Sequence, residues 1–414
     1  MLDVFIQIIN NLIVPLLIKL APLWIPVVCI LIIRKIWLEK LEKEALHAMD
    51  WVMLEIKVPR DVFKTPQAME IILSGLEQGT PDDDWFKKWW KGEFVAAFSS
   101  LEIVSIEGNI YFFIRTQKKH KETLKALIYS QYPNAEVNEV DDYTRYVPEW
   151  KPGNGWVLDV AEFHLAKDDP IPIKTYVDYG LDNKSLSLDE EQKIDPITPL
   201  IEVLGSLRKN EQAWIQIVVR QATKRYKNAK GEDLEWIKQG REMVDKIIAD
   251  HSNTEIGEGD KKKKVGGYKN LSPDQQELVD AIERSIRKVG FDVGIRAVYL
   301  AKKENDGKRM GAIKTAFKQF NAPHLNSFKA VGVGFKYPWE DWNDMRKNEG
   351  LQGMFKSYIH RAFFYEGHQM TKKIFTLNTE ELATIFHFPG RVSTTGSFER
   401  IQAQKAEPPA NLPV

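Results

Sequence analysis

Few residues in this chain have the types and spacing that chemistry requires. His360, Glu366 and His368, in HRAFFYEGHQM, could offer two imidazoles and a carboxylate to a metal. Their spacing matches no helix face well, which favours ordinary surface residues. Asp82, Asp83 and Asp84, in TPDDDWFKKWW, could bind a cation, although a loop cap before a helix is the simpler reading. No GxxxxGK[ST] phosphate loop occurs; GVGF at Gly332 and GEGDKKKK at Gly257 lack the spacing that lets backbone amides and a lysine cradle phosphates. HExxH and GxSxG are absent too, and the single cysteine, Cys29, excludes an internal disulfide or a cysteine-based zinc site. The expectation is therefore a protein with no catalytic, cofactor-binding or metal-binding residues of its own.

Two stretches read as contact surfaces instead. DWFKKWWKGEF places Trp85, Trp89 and Trp90 beside Lys88, a composition suited to a membrane interface, base stacking or a partner, or to an aromatic lid over a sheet. A second tryptophan-rich turn, YPWEDWNDM, is equally open. Lys261, Lys262, Lys263 and Lys264 form a basic run that could touch phosphate or anionic lipid, or simply be solvated linker. Globally, 58 basic and 58 acidic side chains cancel, so net charge does not point toward nucleic acid.

The strongest pattern lies at the amino terminus. From Val4 to Ile33 the only charged side chain is Lys19. Leu12 to Ile33 is long enough, about 33 Å as a helix, for a hydrocarbon core of about 30 Å. Alternatively, Phe5–Ile18 lies in the interface and only Leu20–Leu38 inserts. Trp24 falls near an interface, and Arg34 and Lys35 follow as a stop-transfer signal, with no small-residue cleavage site after Ile33. Residues 1–38 are thus expected to be a single-pass anchor in the cytoplasmic membrane, with the bulk of the chain cytosolic. A charged helix over 39–50 carries it onward.

The remainder alternates between strand and helix periods, so the fold class is α+β. Residues 51–148 read β-α-β-β-α-β, a ferredoxin-like (split βαβ) order, with a hairpin at Glu107-Gly108-Asn109 and helices over Thr65–Gly79 and Lys118–Tyr132. Residues 149–378 read as a second α+β unit, so that one or two ferredoxin-like units are expected, and it carries an inserted helix over Asp233–Asp250 and a flexible loop over 252–271. Its closing strand is expected at Lys372–Leu377. Residues 379–414 read as a short helix and an extended proline-rich linker.

The segment IFTLNTEELATIFHFPG, followed by KAEPPANLPV, resembles the join in conjugation-type (type IV secretion-like) ATPases of the FtsK–HerA superfamily. There, a membrane-anchored, non-catalytic region leads into the ATPase domain. The resemblance implies a linking role for Glu380, Glu381, Phe386, Pro389, Pro408 and Pro409. It also implies a P-loop ATPase as partner, encoded separately or as a continuation of the chain, with DNA reached through the complex and homo-oligomerisation open. No ATP-binding residue can be carried over, because the chain stops where that domain would start. The alternative function is a stand-alone membrane-associated module binding single-stranded nucleic acid or anionic lipid.

Overall fold

The computed structural model describes residue 15 and residues 19–389, except 60–63, 77–96, 148, 183–193, 223–225, 228–232, 251–253, 257–262, 266–270, 303–308, 335–338, 340 and 365–373. Two units are distinguished. The first contains a single described helix, α1 (Ala21–His47), in which Pro22 takes the first turn, where no amide partner is needed, and Pro26 lies within. Its window Ala21–Leu38 has a mean hydropathy of 1.8 and buries none of its residues, so α1 is long and apolar enough to cross a membrane. The apolar span and the charged helix expected after it form this one helix.

The second unit is built on a nine-stranded antiparallel sheet. Its main strands are β1 (Trp51–Lys57), β2 (Phe98–Ile106), β3 (Asn109–Gln117), β4 (Glu136–Val140), β5 (Trp156–Leu165) and β6 (Glu211–Gln221). Short β7 (Tyr226–Lys227) and β8 (Asp233–Leu234) pair as one ribbon, and β9 (Thr254–Ile256) and β10 (Lys263–Val265) as another. The sheet is completed by β11 (Gly290–Lys302), β12 (Phe328–Gly332) and β13 (Phe375–Asn378). Its order is β12-β5-β11-β6-β2-β3-β1-β4, with β13 pairing the start of β11. Glu107 and Gly108, both at positive φ (54° and 88°), turn β2 into β3 as the hairpin signal predicts.

Helices α2 (Pro66–Ser74), α3 (Lys121–Gln131), α4 (Thr198–Gly205), α5 (Trp236–Asp250), α6 (Pro273–Ile286), α7 (Arg309–Ala316), α8 (Met345–His360) and α9 (Thr379–Ile385) complete the body. One face of the sheet, through Leu54, Leu101, Ile215 and Ile295, packs on Met69 and Ile72 of α2, Ile128 of α3, Leu204 of α4, Ile313 of α7 and Leu382 of α9. The other face, through Val104, Phe113, Trp214 and Val298, packs on Met354, Phe355 and Tyr358 of α8. Both faces are covered, so central strands read as nearly continuous apolar runs rather than alternating ones. Helices α5 and α6 pack on each other through Val244, Val279 and Ile282.

Three findings bear on the expectations. The two α+β stretches, whose packing the sequence leaves open, are joined in one sheet, where β2 and β6 pair over nine residues. The loop over 252–271 is not featureless: β9 and β10 pair, placing Lys263 opposite Ile256 and Lys264 opposite Glu255. The segment 379–389 holds the expected short helix, α9, and is buried throughout. The strand expected at Lys372–Leu377 is β13 (Phe375–Asn378), which pairs β11, while strand β12, beside β5, and helix α8 were not anticipated.

Candidate functional site

Alternation along β2 sends Ser100, Glu102 and Val104 to the α8 face of the sheet. Glu102 lies opposite Phe113 on β3 and Gln216 on β6, near the middle of the sheet, and is fully buried. Its partner comes from the end of α8. Arg361 caps that helix in the left-handed conformation, φ 54°, and its amide returns to Ser357 and Tyr358. The turn aims its guanidinium at the carboxylate, with Nε to Oε1 at 2.9 Å and Nη2 to Oε2 at 3.0 Å, a two-pronged pair. Asp142 and the carbonyl of Ile359 take Nη1. Ser100 Oγ at 2.6 Å, Tyr143 Oη at 2.7 Å and Gln216 Nε2 at 3.3 Å also donate to Glu102.

Burial opposes ionisation of Glu102, but the Arg361 charge and the converging donors outweigh it and hold the carboxyl below its usual range. Burial and the Glu102 charge push the Tyr143 and Tyr358 hydroxyls up, and the two phenols share a 2.9 Å hydrogen bond. A carboxylate so fully occupied by donors has little capacity left for a substrate proton. The cluster is a latch rather than a general base.

The three residues after Arg361 continue the latch. The carbonyl of Ala362 accepts Nη1 of Arg296 at 2.7 Å, and Arg296 Nε is paired with Glu162 at 2.9 Å. Phe363 lies under the Arg296 guanidinium at 4.7 Å and against Gly294, where a Cβ would approach the ring to 2.3 Å. Phe364 sits 4.3 Å from the guanidinium of Arg220, which pairs with Asp292 at 3.2 Å. One short segment thereby engages β2, β6 and β11.

A second polar cluster surrounds α9. Asn378 and Glu381 form a reciprocal capping box. Glu381 Oε2 accepts the Asn378 amide and Oε1 the Ile173 amide, both at 2.9 Å. Burial pushes this carboxyl up to about 8, against the two amides, with Glu380 and Asp169 adding to the shift. Glu380 receives Thr175 Oγ1 at 2.5 Å, Lys288 Nζ at 2.9 Å and Arg284 Nε at 3.3 Å. Lys288 also binds Glu70 of α2 at 2.6 Å. Phe386 and Phe388 close edge-on against Phe112, and His387 bridges the Ala383 carbonyl (2.8 Å) and Asp195 (2.9 Å).

Of the residues singled out in the sequence, Leu20, Trp24, Ile33, Arg34 and Lys35 are exposed on or beside α1. Glu380, Glu381, Phe386 and Pro389 are buried together. His360 is exposed at the end of α8, and the described residues hold no cluster of three or more His, Cys, Asp or Glu able to bind a metal. Leu12, Asp82–Asp84, Trp85, Lys88, Trp89, Trp90, Lys261, Lys262, Glu366, His368, Pro408 and Pro409 lie outside the described residues. Trp339 and Trp342, in the second tryptophan-rich turn, are 71% and 86% exposed. Sequence reasoning missed Glu102, Glu162, Arg296 and Arg361. The signal was there for three of them: single charges inside the apolar runs SSLEIVSI, VAEFHL and VGIRAVYL.

A family model described as a domain of unknown function (DUF8128) matches residues 33–399, and the chain belongs to that family. No curated protein matches it.

Proposed function

We propose that this member of the DUF8128 family is a membrane-anchored, non-catalytic scaffold for a conjugation or type IV secretion-like DNA-translocation ATPase. In this reading α1 spans the cytoplasmic membrane, Arg34 and Lys35 mark its cytosolic side, and the body faces the cytosol. The observation that carries it is the burial of 379–389, the segment resembling the join to an ATPase domain. A join held by a capping box, buried ion pairs and Phe386–Phe388 is stiff, and stiffness is what a scaffold needs to fix a motor domain. The test is affinity capture of the full chain from native membranes. A P-loop ATPase should be recovered, and its absence from repeated captures would remove the main support.

We further infer that the sheet is a tandem of two split βαβ halves. The order β2-β3-β1-β4 on one side of the β2–β6 seam is matched by β6-β11-β5-β12 on the other. The registers put Glu102, Phe113 and Glu55 in one row and Gln216, Arg296 and Glu162 in the corresponding row. On that alignment Leu101-Glu102-Ile103-Val104 matches Ile215-Gln216-Ile217-Val218. The first half expressed alone would leave β2 as a bare edge and should self-associate, seen by sedimentation. A stable monomer would count against the tandem reading.

A further inference from the structure

The chain joins the body at Asp50, and lysines crowd the surface fixed beside that junction. The carbonyl of Asp50 accepts the amide of Lys118 at 2.8 Å, and Trp51 pairs with Gln117. Lys118 is thereby held beside Asp50, the first residue of the body, with Lys119 and His120 next to it and Lys121 and Lys125 following on α3. Lys118 and Lys119 are exposed, and neither they nor Lys125 make an ion pair among the described residues. Lys121 is engaged by Glu139 at 2.6 Å, and its hydrogen bond, aided by Lys118 and Lys125, holds the Glu139 carboxyl below its usual range. Burial and the charge of Lys119 push the His120 imidazole down. Arg115 stacks on Trp51 at 4.2 Å. Of the acids, Glu139 and Glu122 stand 2.6 and 4.0 Å from Lys121, and Asp50 and Asp141 adjoin the ends of β1 and β4.

Connectivity decides what this ridge meets. The apolar window ends at Leu38, and α1 runs on to His47, three residues before Asp50. Nine helical rises and three extended residues span at most about 25 Å. The junction therefore stays within that reach of the end of the span, whatever angle the body adopts. Lysines without an ion pair among the described residues, tethered at this range, meet phospholipid headgroups at high effective concentration, and each lysine near an anionic surface contributes roughly five-fold to the bound population.

We propose that Lys118, Lys119 and Lys125 bind anionic phospholipid headgroups, seating the body on the membrane that α1 enters. This rests on the reading of α1 as a membrane span. The test uses the full chain with Cys29→Ser and Thr123→Cys, an environment-sensitive fluorophore on the exposed position 123, and vesicles carrying a headgroup nitroxide. Phosphatidylcholine vesicles are compared with vesicles that also contain phosphatidylglycerol. The label should be quenched several-fold more strongly when phosphatidylglycerol is present, and salt or the triple variant Lys118→Glu/Lys119→Glu/Lys125→Glu should abolish the difference. Lys119→Glu alone, which should lower it severalfold, keeps the test open if the triple variant unfolds.

Equal quenching in both vesicles would mean tether proximity alone and would overturn the proposal. So would absence of quenching while the chain resists carbonate extraction, an outcome that leaves the anchor intact. Release of the chain by carbonate would remove the anchor and this proposal together. A response to a single-stranded oligonucleotide tighter than that to phosphatidylglycerol would assign the ridge to nucleic acid and also overturn it.

Discussion

Arg361 and Glu102 answer each other's charge where neither side chain reaches water, and removing one partner leaves the other stranded. Arg361→Met is expected to destabilise the body by about 3–5 kcal/mol, read from urea unfolding, because a buried carboxylate is left without its cation. Glu381 acts in the opposite sense with pH. Its folded pKa of about 8 lies above the ordinary 4.5, so the folded state holds the proton more tightly than the unfolded one. Its contribution is fully present below about 4.5 and is lost as pH rises toward about 8. Glu381→Gln should flatten the fall in stability across that window, while Glu102→Gln should leave that fall in place. A variant curve parallel to the parent from pH 5 to 8 would show that the capping box holds Glu381 ionised.

At the scale of elements, short pieces are positioned by what they touch. Helix α9 has only seven residues and would be marginal alone. Its capping box and its contact with α2 hold it, so Asn378→Ala is expected to cost about 1–2 kcal/mol, measured by thermal unfolding. Gly294 in β11 has a different role: it admits the Phe363 ring to the sheet. Gly294→Ala should force out the segment 361–364 at a cost of about 1–3 kcal/mol. The paired variant Gly294→Ala/Phe363→Ala should then cost less than the sum of the two single changes, and strict additivity would show that the ring has another seat.

For the whole molecule, α1 exposes Leu23, Ile30, Ile33 and Ile36, each at least 60% accessible. An uncovered apolar surface of this kind calls for a lipid or protein cover. The full chain is expected to stay with membranes through carbonate extraction, whereas a chain beginning at Asp50 should be recovered in solution with an unchanged unfolding midpoint. A lower midpoint would mean that α1 contributes to the stability of the body.

The amino-acid sequence by itself determined the elements whose causes are local. Continuous apolar composition marks α1, Glu107-Gly108 turns the β2–β3 hairpin, and the order β-α-β-β-α-β over residues 51–140 follows from period changes alone. The acidic first turn of α9 was equally legible, but its burial was not, since Glu380 and Glu381 look like solvent-facing residues until Lys288, Arg284 and the Ile173 amide arrive from distant parts of the chain. Helix α8 escaped notice because its apolar positions are diluted by polar ones on the far side. The β2–β6 seam and the Glu102–Arg361 pair, 259 residues apart in sequence, were decided only by tertiary structure. Strand pairing is set by hydrogen bonds between backbones that carry no sequence label, and the worth of a buried charge depends on a partner that local pattern cannot name.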